Sequence, residues 1–92
     1  MLLGTPDFEE LERRVANRDR AAFAALHRAY EKIVYQFVVS KGANRIVASD
    51  MTTAIFDKAW ESCDRYPWRD FSFHVWLLRI ARKELEDRSL PG

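Results

Sequence analysis

The stretch Phe73-His74-Val75-Trp76-Leu77-Leu78-Arg79-Ile80-Ala81-Arg82-Lys83-Glu84-Leu85 decides how the chain is read. Phe73, Trp76, Leu77, Ile80, Ala81 and Leu85 recur at spacings of three and four, which places them on one face of a helix. Arg79, Arg82, Lys83 and Glu86 fall elsewhere on that helix. The helix is expected to begin at Asp70 or Ser72 and to end near Ser89, before Pro91, since proline cannot continue it.

Working outward, the preceding residues Asp64-Arg65-Tyr66-Pro67-Trp68-Arg69-Asp70-Phe71 form a connector that Pro67 keeps from being helical. Upstream of it, a helix is expected from Arg45 to Cys63, capped by Asn44. Ile46, Val47, Met51, Ala54, Ile55 and Ala59 give its buried face, widened by Phe56 and Trp60. A longer helix is expected from Asp19, its cap, to Lys41, with Gly42 supplying the left-handed residue that ends it. Its stripe is Phe23, Leu26, Tyr30, Ile33, Val34, Phe37 and Val38. The β-branched cluster there would suit a strand, but the stripe has helical period and is too long for one strand. A first helix is expected from Pro6 to Ala16. Thr5 caps it, Asp7, Glu9 and Glu10 favour its positive end, and Phe8, Leu11 and Val15 line one side. The expected fold is therefore all-α, a compact bundle of about four helices forming a single domain over residues 1–92.

Composition narrows the function. The single cysteine, Cys63, excludes an internal disulfide and a multi-cysteine zinc site, and fits a reducing, cytoplasmic setting. There is no apolar run long enough to cross a membrane and no secretion signal at the N-terminus. His27 and His74 each stand alone, without a carboxylate or thiol at pairing distance in sequence. No glycine-rich phosphate loop or nucleophile motif is present, so no enzyme, metal or cofactor is expected. A net charge of +1 is low for a protein that grips duplex DNA by many phosphates, so any nucleic-acid contact must be local or rest on stacking.

The connector and its flanks supply that chemistry. Tyr66, Trp68, Phe71, Phe73 and Trp76 are threaded with Arg65, Arg69, His74 and Arg79. Aromatic faces stack on unpaired bases, at about 1–3 kcal/mol per base, and arginines pair with phosphates. Phe73 and Trp76 lie on the core-facing stripe and are assigned to packing, as Tyr66 can be; Trp68 and Phe71 are harder to bury. Composition and spacing alone leave nucleic-acid binding and protein docking both open.

The run Phe56-Asp57-Lys58-Ala59-Trp60, the string Phe73 to Arg82, the later Asp87-Arg88, and the opening Asp19-Arg20-Ala21-Ala22-Phe23-Ala24-Ala25-Leu26 with Tyr30 together resemble a known pattern. They are similar to region 2 of the extracytoplasmic-function (ECF) group of bacterial sigma factors, over residues 8 to 90. That resemblance implies a transcription initiation module without enzymatic activity. It would dock on the clamp helices of the RNA polymerase beta-prime subunit. It would also recognise and melt the minus-ten promoter element by capturing flipped bases of the non-template single strand. Residue by residue, it places polymerase contact on Asp50, Met51, Thr53 and Asp57. It places DNA contact on Arg65, Tyr66, Trp68, Arg69, Asp70, Phe71 and Ser72 of the connector, and on His74, Arg79, Arg82 and Lys83 of the last helix.

Two departures from the family pattern bear on this reading. Asp50-Met51-Thr52-Thr53-Ala54 stands where members read D-L-T-Q-E, losing two polar groups of the docking segment. Lys83 stands where an asparagine is usual, adding a positive charge. The family's second domain, a helix-turn-helix that reads the minus-thirty-five element, has no counterpart here, and an excised domain is the expectation. The alternative function is a sigma-like module that binds an anti-sigma factor, or competes for polymerase, without reading a promoter.

Overall fold

The computed structural model describes residues 8–65 and 72–89. Four α-helices follow in order: α1 (Phe8–Ala16), α2 (Arg20–Ser40), α3 (Arg45–Glu61) and α4 (Phe73–Asp87), with a short 3-10 turn (Cys63–Arg65) after α3. No strand occurs among the described residues, and the expected all-α bundle is the observed one. α2 is the central element: α1, α3 and α4 all pack against it, and α3 also packs on α4.

The helix ends follow from local chemistry. Asp19 Oδ1 accepts the Ala22 N–H at 3.1 Å, while its other oxygen takes Arg14 Nε at 2.8 Å. The Arg14 hydrogen bond, then the Ala22 N–H, hold the Asp19 carboxyl below its ordinary pKa. Arg18, between α1 and α2, has φ 60, a left-handed conformation unusual for a residue with a side chain. Its guanidinium offsets that strain by donating to the Trp60 carbonyl at 3.3 Å and lying 4.7 Å from the Trp60 ring centroid. Arg20 lies 4.6 Å from the same centroid. α2 stops where the N–H groups of Lys41, Gly42 and Ala43 turn back onto Val38 and Val39, with Gly42 at φ 107.

Asn44 then caps α3, its Oδ1 accepting the Val47 N–H at 2.9 Å. Asn44→Ala is expected to lower unfolding free energy by about 1 kcal/mol. Chemical denaturation measures this, and an unchanged midpoint would show the cap to be idle.

The core is one cluster. Leu26, Val34 and Val38 of α2 meet Met51, Ile55 and Phe56 of α3 and Phe73, Leu77 and Leu85 of α4, all essentially without solvent exposure. Val15 brings α1 into it, and Cys63 anchors the 3-10 turn. Phe23 is its aromatic hinge, with ring centroids 5.2 Å from Trp60, 6.3 Å from Phe56 and 6.1 Å from Phe73 in edge-on contacts. Such pairs add about 0.5–1.5 kcal/mol each beyond burial.

Two expected core residues lie outside. Ile33 is exposed because Val34 takes the inward slot of the stripe Leu26–Tyr30–Val34–Val38. Ile46 is 83% exposed, since Ala48, Met51, Thr52, Ile55 and Ala59 define the buried side of α3 and Ile46 is on the opposite side of its first turn.

Candidate nucleic-acid interface and docking face

The last turn of α3, the 3-10 turn and the outer side of α4 enclose an open groove. Lys58, Ser62, Arg65, Trp76, Arg79, Ile80 and Lys83 line it. Arg79 and Lys83 are one helical turn apart and so stand on the same side of α4. The 3-10 turn, closed by the Arg65 N–H on the Ser62 carbonyl at 2.9 Å and rooted by buried Cys63, carries exposed Arg65 to the opposite wall. Four basic groups thus converge beside an indole in a chain whose net charge is only +1. Arg65, on its wall, is the last residue described before the connector.

Of the residues expected to contact DNA, the groove gathers Arg65, Arg79 and Lys83. It adds Lys58, to which the sequence assigns no contact, and Trp76, which is assigned to packing. Tyr66, Trp68, Arg69, Asp70 and Phe71 lie outside the described residues. His74 is turned toward α2, where its ring stacks on Tyr30 at 5.9 Å. Arg82 is exposed but not on the groove wall, and Ser72 occupies the N-cap position of α4 without a side-chain capping bond. The Phe73 N–H, at that uncapped end, instead donates to Glu12 Oε1 of α1 at 3.4 Å. This contact ties the start of α4 to α1 across 61 residues and has no local sequence signal.

A second feature sits behind the groove. Glu84 is buried, its side chain 7% exposed, between α3 and α4. Its Oε1 accepts Lys58 Nζ and its Oε2 accepts Arg88 Nε at 2.7 Å. Arg88 Nη1 continues to Asp50 Oδ2 at 2.9 Å. Burial pushes the Glu84 carboxyl up, but the Lys58 and Arg88 hydrogen bonds outweigh it, and the group is held below the ordinary glutamate value of 4.5. A carboxyl depressed on folding stabilises the fold above its unfolded pKa and ceases to do so as pH falls through the folded value. Urea midpoints should therefore drop as pH is lowered beneath 4.5, and Glu84→Gln should flatten that drop. Parallel pH profiles for the two proteins would count against this role.

The expected docking residues divide. Asp50, Thr53 and Asp57 are exposed on one side of α3. Met51 is not: its side chain is fully buried in the core, so it holds the helix in place rather than touching a partner. Asp50 and Thr53 share a shallow hollow with Arg45, Ile46 and Ser49. Thr53 also borders a cleft between α2 and α3, with Arg28, Glu31, Lys32 and Tyr35 on the far wall. His27, on the same cleft, stacks flat on Phe56 at 4.0 Å and so serves packing. No group of His, Cys, Asp or Glu suited to a metal occurs among the described residues, and no described helix is long and apolar enough to cross a membrane.

The family model for sigma-70 region 2 matches residues 26–89. The chain belongs to the sigma-70 region 2 family. An ECF RNA polymerase sigma factor SigK of Mycobacterium sp. (strain KMS) is 33% identical over 84 residues, covering 91% of this chain and 44% of the relative. The protein of the same description from Mycobacterium bovis (strain BCG / Pasteur 1173P2) is 29% identical over 82 residues, 89% of this chain and 44% of its own length. So is that of Mycobacterium tuberculosis (strain ATCC 25618 / H37Rv). The region 2 chain thus spans under half the length of these curated relatives. No solved structure matches it. The resemblance to ECF region 2 read from the Phe56–Trp60 and Phe73–Arg82 strings is borne out. Sigma-70 region 2 is a non-enzymatic family, in keeping with the lack of a catalytic motif in the sequence.

Proposed function

We propose that this region 2 domain is a transcription initiation module that docks on RNA polymerase core and captures the melted minus-ten element. The observation that carries the reading is the groove that Lys58, Arg65, Arg79 and Lys83 line together with Trp76. Phosphates of a single strand would follow the basic wall, while bases stack on the indole and on connector rings such as Trp68 and Phe71. Extruding a base costs a few kcal/mol, which a handful of stacking contacts at about 1–3 kcal/mol each offsets. Polymerase docking, on the beta-prime clamp helices, falls to the α3 side bearing Asp50, Thr53 and Asp57. With polymerase and promoter as its partners, the protein would act in the cytoplasm.

Fluorescence anisotropy tests the reading. A single-stranded oligonucleotide carrying the cognate minus-ten sequence should bind more tightly than a scrambled one of equal length. Equal binding removes sequence reading. Trp68→Ala should weaken capture while leaving the melting temperature within a few degrees; a collapse in stability would make Trp68 a core residue instead.

A second reading draws on Ile46, an exposed apolar side chain beside Asp50 and Thr53. Such a surface suits a protein partner such as an anti-sigma factor, with no promoter read at all. Pulldown with a clamp-helix fragment separates the two: retention supports initiation, and retention only of an anti-sigma partner supports the alternative.

A further inference from the structure

The ion pairs around Glu84 form an alternating chain with two open ends. Lys58, at one end, lines the basic groove. Asp50, at the other, lines the hollow on the docking side of α3. Between them lie buried Glu84 and Arg88, the C-cap residue of α4. The end groups are accessible, with Lys58 46% and Asp50 69% exposed, whereas Glu84 is enclosed.

A buried carboxylate must keep compensating charge, because removing a partner leaves an ion in a poor solvent. Here each Glu84 oxygen holds one cation, Lys58 or Arg88. Arg88 divides its guanidinium, with Nε on Glu84 and Nη1 on Asp50. Two cations therefore share two anions. A further charge arriving at either end must change how they are shared.

We propose that Asp50, Arg88, Glu84 and Lys58 couple the docking side of α3 to the basic groove, so that a cationic partner group taking Asp50 frees Lys58 for a nucleic-acid phosphate. With Asp50 occupied from outside, Arg88 serves Glu84 alone. Glu84 then depends less on Lys58, whose ammonium can turn into the groove beside Arg65, Arg79 and Lys83. Linkage requires the reverse as well: a phosphate that draws Lys58 away commits Arg88 to Glu84 and exposes Asp50 to the partner. The inference rests on the proposed roles of the two surfaces, but the coupling has a readout of its own.

Asp50→Asn imitates the occupied state by ending the claim of Asp50 on Arg88. Glu86→Gln removes one exposed negative charge from α4 that has no ion-pair partner among the described residues, and so controls for charge alone. Two quantities are measured on the folded domain: the NMR order parameter of the Lys58 side chain without DNA, and affinity for a short single-stranded oligonucleotide. In Asp50→Asn the Lys58 side chain should become more mobile and affinity should rise about fivefold, the low end of usual coupling between sites. Glu86→Gln should leave Lys58 mobility unchanged and raise affinity less. In an Arg88→Met background, or Arg88→Lys should Met impair folding, the extra gain from Asp50→Asn should shrink to that of the control.

Unchanged Lys58 mobility in Asp50→Asn overturns the coupling whether or not DNA binds. So does increased mobility with affinity no better than the control. If neither wild type nor variants bind the oligonucleotide, the promoter-capturing role falls, while the Lys58 measurement still decides whether the ion chain transmits.

Discussion

Phe73→Ala is expected to cost about 3–5 kcal/mol of unfolding free energy. Phe73 has no solvent exposure, and its ring lies 6.1 Å from Phe23, 6.0 Å from Tyr30 and 5.9 Å from Trp76. Removing it takes away buried apolar area and leaves a void among large rings that cannot collapse without breaking their mutual contacts. It also empties the first turn of α4, where Ser72 makes no side-chain capping bond and the Phe73 N–H reaches across the bundle to Glu12. Domains of this size have a total stability of about 0.05–0.15 kcal/mol per residue, so the loss is a large share of the whole. Urea denaturation reads it directly. A loss below about 1 kcal/mol would mean that α4 is not anchored by this ring. Trp76→Ala makes the instructive comparison. Trp76 is only half-buried and also lines the groove, so it should cost less stability than Phe73→Ala and more DNA affinity.

The helices were legible in sequence because their signals are local. Asp19 and Asn44 cap the helices that follow them, Gly42 takes the left-handed turn, and stripes such as Leu26–Val34–Val38 and Phe73–Leu77–Ala81–Leu85 fall inward at helical period. What stayed illegible depends on partners distant in the chain. Glu84 looks like a surface charge until Lys58, 26 residues away, is brought beside it. Lys58 in turn gives no sign of facing the groove, because only the packing of α3 on α4 puts it there. The family resemblance groups Met51 with Asp50 and Thr53, its neighbours in sequence. Adjacent residues on a helix point about 100° apart, and the buried side of α3 takes Met51 while Asp50 stays outside. Arg65, Arg79 and Lys83 are visible in the sequence as basic groups, but their convergence on one groove is a property of the fold.

That convergence sets the other large effect. Arg79→Glu combined with Lys83→Glu should lower affinity for single-stranded DNA at least about tenfold at low salt, a change of about 1.4 kcal/mol or more. The two positions lie one turn apart on the groove wall, so both would meet the same phosphate track. Reversal replaces attraction by repulsion and leaves Lys58 and Arg65 facing two carboxylates. The salt dependence tells whether the loss is of this kind. Each phosphate neutralised on a single strand contributes a slope of about −0.7 in log affinity against log salt, so removing two contacts should flatten the slope by about 1.4. The Lys83–Asp87 pair at 3.4 Å is a surface one, so its loss should cost the fold only a few tenths of a kcal/mol. Weaker binding with an unchanged slope would place the damage in the shape of the groove rather than its charge. Undiminished binding would put the nucleic acid on another face altogether, and Trp76 with its four basic neighbours would then need a different ligand.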